Sequence, residues 1–294
     1  MANEILTAQL LEIIPEIQAQ TMVKFNNSAG ILDAITVKNT SGVKGKNHKF
    51  AKWSTMASSD VQTPSEGEAT TTKKQLSVSN VDATVAKRQV LFFLSDEDLF
   101  SVDPALLESA DLIEQISAIG ADAMRAKVED EIVSLFSTFT GSVAGAGVTL
   151  APDHFNDAIN VLKGYRMRGD RFGALHPKQM RGGKGIADFL TGVSISNNFA
   201  STSLPQEMLD KGYVGKYNTF SLLESTEIDD DVSSGGDAAG ALFSKMAIGL
   251  HHKGISNMEL DRVAGAGYNV YLTGWWKAVL IEPDWGVYFL TDVS

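Results

Sequence analysis

The chain has 294 residues, 44% of them hydrophobic and 21% charged, with a formal net charge of −11. Those proportions suit a folded protein and exclude disordered or collagen-like sequence, and the length predicts two or three compact lobes. Cysteine is absent, which excludes disulfides and thiolate chemistry, and the acidic balance argues against a dedicated nucleic-acid reader.

The first residues show neither the basic start nor the apolar core of a secretory signal, and no apolar run reaches membrane-spanning length. The expectation is a chain that folds in a cytoplasm without a membrane partner. Ile5, Leu6, Leu10, Ile13, Ile14 and Ile17 have near-helical spacing interrupted by Pro15, which predicts a short helix, a break and an arm. Ile31 to Val37 is a second short apolar segment. From Lys44 to Arg88 the texture turns to Gly, Ser, Thr and short alternation. Lys49–Trp53 and Leu76–Val85 are predicted strands, with a polar tip near Pro64-Ser65-Glu66-Gly67. Two strands with so few bulky residues are not stable alone in water, so this excursion is expected to lie on a neighbouring subunit.

Asp103-Pro104 marks a helix start. Leu106, Ala110, Ile113, Gly120, Met124, Val128, Ile132, Leu135 and Phe139 follow helical spacing, a run of about 50 Å at 1.5 Å per residue. Gly141 to Gly147 is expected to end it as a flexible turn. Pro152–Leu162 is a second amphipathic helix, and Phe172–Leu175 a short strand closed by His176-Pro177. Gly182–Gly185 is a loop, Tyr213–Leu223 a strand-turn-strand, and Thr226–Gly240 a surface loop. Ala241–Leu250 fits either a buried strand or a short helix. The chain closes on an expected hairpin, Trp275–Ile281 and Trp285–Leu290 around Glu282-Pro283-Asp284. Three of the four Trp occur here, marking a core or an intersubunit seam.

Convergent chemistry is not visible. His48, His154, His176, His251 and His252 lack the His-Glu-x-x-His spacing of a zinc hydrolase, so packing or surface roles are expected. Gly145-Ala146-Gly147 and Gly265-Ala266-Gly267 lack the third glycine of a dinucleotide loop. Asp229-Asp230-Asp231 lacks the alternating ligands of a calcium loop, and Arg168-Gly169-Asp170 suits a turn between helix and strand. The expectation is a structural protein, not an enzyme, with no catalytic, cofactor or metal residues. Charge is distributed unevenly: Lys44–Arg88 carries eight basic and four acidic residues, net +4, whereas Asp96–Phe139 carries two and eleven, net −9. Opposite patches on identical chains favour and orient association.

The order of these segments resembles the tailed-phage capsid fold of the Hong Kong 97 type. Ile14-Pro15-Glu16-Ile17 looks like the Pro-Glu start of many phage coat proteins. Gly45 to Trp53, followed by Glu66-Gly67, looks like the extended loop, and the helix from Asp103 like the spine helix. Phe155-Asn156-Asp157-Ala158 and Ala174-Leu175-His176-Pro177 resemble the opening of the axial domain. Tyr213-Val214-Gly215-Lys216-Tyr217 with Leu223-Glu224-Ser225 resembles its strand pair, and Trp275 to Val279 the strand returning to the peripheral domain.

The resemblance implies an α+β subunit with a 1–43 N-terminal arm and a 44–90 extended loop. A peripheral domain with a long spine helix at 91–148 and an axial domain at 149–273 follow, and C-terminal strands at 274–294 return to the peripheral domain. It implies self-assembly into hexamers and pentamers that form an icosahedral virion shell around double-stranded DNA contacted non-specifically, built in the host cytoplasm. A portal and, because no long built-in scaffold segment is recognisable, a separate scaffolding protein are implied partners; a decoration protein is compatible. Lys52, Trp53, Glu66, Lys73, Lys74, Lys87 and Arg88 are the expected intersubunit contacts, with the basic loop over a neighbour's acidic spine region. Some relatives crosslink a loop Lys to a neighbour's Asn, but no Asn and acidic catalyst are matched here. An encapsulin-like nanocompartment shell enclosing a cargo enzyme shares the fold and is the alternative; the extended loop and Pro-Glu arm favour the phage reading.

Overall fold

The computed structural model describes residues 19–21, 23, 30–54, 56, 58–61, 63, 66, 75–95, 110–181, 213–217, 220–232, 236–264 and 266–293. The expected N-terminal helix, the Asp103-Pro104 helix start and the Gly182–Gly185 loop lie outside these residues.

A 3-10 turn at Ile31–Ala34 leads into β1 (Thr36–Asn39). β2 (Asn47–Trp53) and β3 (Val78–Thr84) form a separate two-stranded hairpin, and β4 (Ala86–Ser95) follows directly. α1 (Ala110–Val133) is the long helix, succeeded by a 3-10 turn at Phe136–Thr138 and β5 (Gly141–Thr149). Next come α2 (Pro152–Gly164), β6 (Arg171–Leu175) and α3 (Pro177–Arg181). β7 (Tyr213–Tyr217), β8 (Phe220–Glu224), β9 (Asp237–Ser244), β10 (Ile248–Val263), β11 (Gly267–Leu280) and β12 (Gly286–Asp292) complete the chain.

Two sheets organise an α+β fold. The first has the order β1-β10-β11-β4 and the second β5-β12-β9-β6-β8-β7. α1 packs on β11 and β4. Its buried stripe is Ala121, Met124, Val128 and Ile132, the helical period that points one face at a sheet. A Cβ at Gly120 would stand 3.0 Å from Leu272 Cδ2, so the helix approaches closely there. α2 packs on β5 and β12 of the second sheet, burying Phe155, Ala158, Ile159 and Leu162. The N–H of Ala151 donates to His154 Nδ1 at 3.1 Å, occupying a polar group at the helix start. No helix among the described residues is long and apolar enough to cross a membrane.

Four expectations are corrected. The long helix stops at Val133 rather than Phe139, because Phe136 and Phe139 turn toward Phe243 of β9, with ring centroids 5.5 and 6.2 Å away. Gly141–Gly147 is not a turn but most of β5, which pairs in parallel with β12. Gly141 is needed there, since a Cβ would meet Val287 Cγ2 at 2.8 Å. The expected loop ends early: Asp237–Ser244 is a strand with every residue buried. Its Ala and Gly residues are small because β9 is enclosed by neighbours; a Cβ at Gly240 would meet Leu175 Cδ2 at 2.7 Å. The C-terminal strands do not pair with each other. β11 lies in the first sheet and β12 in the second, joined by a 3-10 turn at Pro283–Trp285. Trp276 and Ala278 face the core under α1, while Val287 and Phe289 face the core under α2. The segment expected to return as one unit therefore ties two sheets together.

Candidate assembly surface

The β2–β3 hairpin is fastened at its root. Seven residue pairs run from Asn47 and Thr84 to Trp53 and Val78, and the Val85 N–H donates to the Lys46 carbonyl at 2.9 Å. Strand alternation sends successive side chains to opposite faces. On the inner face Phe50 and Ala83 are buried with Val279 of β11. His48 meets Phe50 edge-on at 4.9 Å. His251 of β10 lies beneath. Its Nδ1 donates to the Ala83 carbonyl at 2.9 Å, so in the neutral ring Nε2 accepts from the Thr40 hydroxyl at 2.7 Å. Burial, with repulsion from His251, holds both His48 and His252 below the ordinary histidine pKa, and Lys38 adds to the effect at His48. Lys46 lies over the Trp275 ring, 4.9 Å from its centroid.

The outer face is bare. Asn47, Lys49, Ala51 and Trp53 are exposed, as are their cross-strand partners Thr84, Asp82, Asn80 and Val78. Toward the far end Trp53, Met56, Val61, Leu76 and Val78 are between 44% and 76% exposed. An open cleft of about 640 Å³ adjoins this end, lined in part by Trp53, Tyr165, Arg166 and Trp285. A second apolar patch lies on the edge strand β4. Val90 and Phe92 face the core, while Leu91 and Phe93 point the other way and are 54% and 51% exposed. This patch is not legible in the sequence, because Val90-Leu91-Phe92-Phe93-Leu94 is apolar throughout and has no period to reveal a face.

The expected contact residues divide three ways. Trp53, Glu66 and Lys87 are exposed. Lys52 and Arg88 use their charge within the chain, Lys52 on Glu282 at 2.7 Å and Arg88 on Glu131 at 2.6 Å. Lys73 and Lys74 lie outside the described residues. The acidic surplus of the helix is partly neutralised in place as well, by Arg125 on Glu129, Lys127 on Asp130 and Arg88 on Glu131. Among the described residues no group of three or more His, Asp or Glu could hold a metal ion.

No protein-family profile matches the chain, and no curated protein does. Solved structures do. The capsid of Ralstonia phage GP4 superposes with a TM-score of 0.64 at 11% identity, covering 91% of this chain and 92% of that one. The capsid of Cyanophage P-SCSP1u gives 0.59 at 14% identity over 91% and 89%. A virus-like particle from Pyrococcus furiosus gives 0.57 at 9% identity over 94% and 98%. A two-sheet subunit with a long helix, a projecting hairpin and nine-tenths of its length in common with these shells has the Hong Kong 97-type capsid fold.

Proposed function

We propose that this chain is the major capsid protein of a tailed phage, forming pentamers and hexamers that close into an icosahedral shell around double-stranded DNA. The observation that carries this reading is the likeness to capsid subunits along nearly the whole chain. The assembly surface supports it physically. A two-stranded hairpin is marginal in water, and this one is packed on its own chain at the root, while its far end meets the chain only around an open cleft, through Lys52 on Glu282 and Arg166 on the Met56 carbonyl. The exposed Trp53 and Val78 at its far end gain burial only from another molecule. In this reading the hairpin lies on a neighbour, and the shell's coherence comes from such interlocking, because the chain has no cysteine to crosslink it.

A portal and a separate scaffolding protein complete assembly, in the host cytoplasm, and a decoration protein is compatible with the open cleft beside the hairpin's far end. The contact with DNA is non-specific and phosphate-directed, given the absence of a base-reading motif. Velocity sedimentation of particles made in the presence of scaffold and portal, followed by nuclease treatment, tests the reading. Fast-sedimenting particles that protect double-stranded DNA are expected. Particles that hold a protein cargo and no DNA would overturn the phage assignment in favour of a nanocompartment.

A further inference from the structure

The two sheets are joined by a buried ionic contact beside an open cleft. Glu129, on the α1 face turned toward the second sheet, is 4% exposed. Its Oε1 accepts from Arg125 Nε at 2.9 Å, one helical turn earlier, and its Oε2 accepts from the Ser225 hydroxyl at 2.8 Å. Ser225 follows β8 in the second sheet, and its own N–H donates to the Leu175 carbonyl of β6 at 3.2 Å. The carboxylate thus links the helix on the first sheet to the frame of the second. A third segment closes over it. Gly30, just before the 3-10 turn at Ile31–Ala34, has φ +137°, and a Cβ there would stand 2.5 Å from Glu129 Oε1 and 2.8 Å from Arg125 Nη2. Only glycine permits both the backbone conformation and the approach.

Beside this contact lies a cleft of about 490 Å³, bordered by Asp122, Ala126, Pro177, Glu224 and Glu227 as well as the contact residues themselves. α1 belongs to one apolar core shared by the two sheets, which includes Leu250, Leu272 and Trp276 of the first and Leu223, Ala241 and Phe243 of the second; Glu129 is the buried charged contact within it, with the cleft beside it. A carboxylate whose partners sit on defined lone pairs adds a directional restraint to that packing.

We propose that Glu129 is a positioning residue that sets the angle between the two sheets, and through it the curvature and uniform size of the assembled shell. This rests on the shell reading above. A closed shell of one size needs its subunits to settle into a narrow set of shapes, and the Arg125–Glu129–Ser225 contact supplies that restriction from within the chain.

The test uses the full-length chain carrying Glu129→Gln, or the milder Ser225→Ala, assembled alongside wild type and imaged for particle diameter. Wild type is expected to give one narrow diameter class. Glu129→Gln is expected to give a distribution at least twice as wide, with open or aberrant forms, and Ser225→Ala an intermediate broadening. Circular dichroism of the unassembled variants should match wild type. A purely structural role would lower the melting temperature and leave the diameter unchanged, so Glu129→Gln shells of wild-type size and spread would overturn the proposal. If Glu129→Gln does not fold, Ser225→Ala decides on the same criterion. Wild type that makes no shells would overturn the functional reading and the positioning role with it, whereas uniform variant shells beside uniform wild-type shells overturn the positioning role alone.

Discussion

Single residues divide into those that hold the chain's core together and those left exposed at its surface. Phe155 is fully buried and packs on the tilted ring of Phe289, with centroids 5.3 Å apart; Phe155→Ala is expected to cost about 3–5 kcal/mol, read from the urea midpoint. Gly286 has no room for a methyl group, since a Cβ would lie 2.2 Å from the Phe139 ring. Gly286→Ala is accordingly expected to destabilise by about 1–3 kcal/mol in the same assay. Trp53 is the opposite case. It is 62% exposed, so Trp53→Ser should change stability by less than about 0.5 kcal/mol while slowing particle formation followed by light scattering. His252 gives the subunit a pH dependence. Burial, then repulsion from His251, holds its folded pKa below the ordinary histidine value. Its neutral form therefore favours the folded state: the contribution is complete above the unfolded pKa of about 6.5 and is lost as pH falls through the folded one. Urea midpoints should drop between pH 7.5 and pH 5, and His252→Asn should flatten that drop. An unchanged slope in the variant would remove His252 as the cause.

At the scale of elements, the hairpin root is buried against the first sheet, whereas the far end is exposed and meets the chain mainly through Arg166 on the Met56 carbonyl. Replacing residues 54–77 with a two-residue turn should leave a folded monomer, because Phe50, Ala83 and Val279 remain together, yet prevent particle formation. Removing Arg88 should act differently, although it was grouped with the loop lysines by charge alone. Arg88→Ala leaves Glu131, 15% exposed at its side chain, without its cation, and should cost about 1–2 kcal/mol by thermal unfolding. The elements best legible in the sequence are those with a clear period and a boundary signal: α2 after Pro152, the alternating β2 and β3, and β6 before Pro177. Others carried no such signal. β9 is built largely from Gly and Ala because it is enclosed by its neighbours, and Gly141 at the start of β5 is equally confined, whereas Gly145 and Gly147 stand in open space; small residues look like loop when hydrophobicity is the guide. β11 and β12 have the right alternation but the wrong inferred partner, since two amphipathic strands around Pro283 fit a hairpin and a sheet-to-sheet crossover equally well. The cis pairing of Arg88 with Glu131 was hidden for a similar reason: charge counts along a segment say nothing of which charges already have partners.

As a whole molecule, one chain of two tied sheets with an exposed hairpin tip has the features that the proposed shell role requires. α1 and the crossover from β11 to β12 tie the two sheets together, while the apolar end of the hairpin and Leu91 and Phe93 on β4 are exposed in the single chain, where the proposed assembly would cover them. Electron microscopy of the purified chain, expressed alone and with its assembly partners, tests this most directly. Closed icosahedral particles, or rings of five and six subunits, are the expected result. A homogeneous monomer or dimer under every condition would contradict the account.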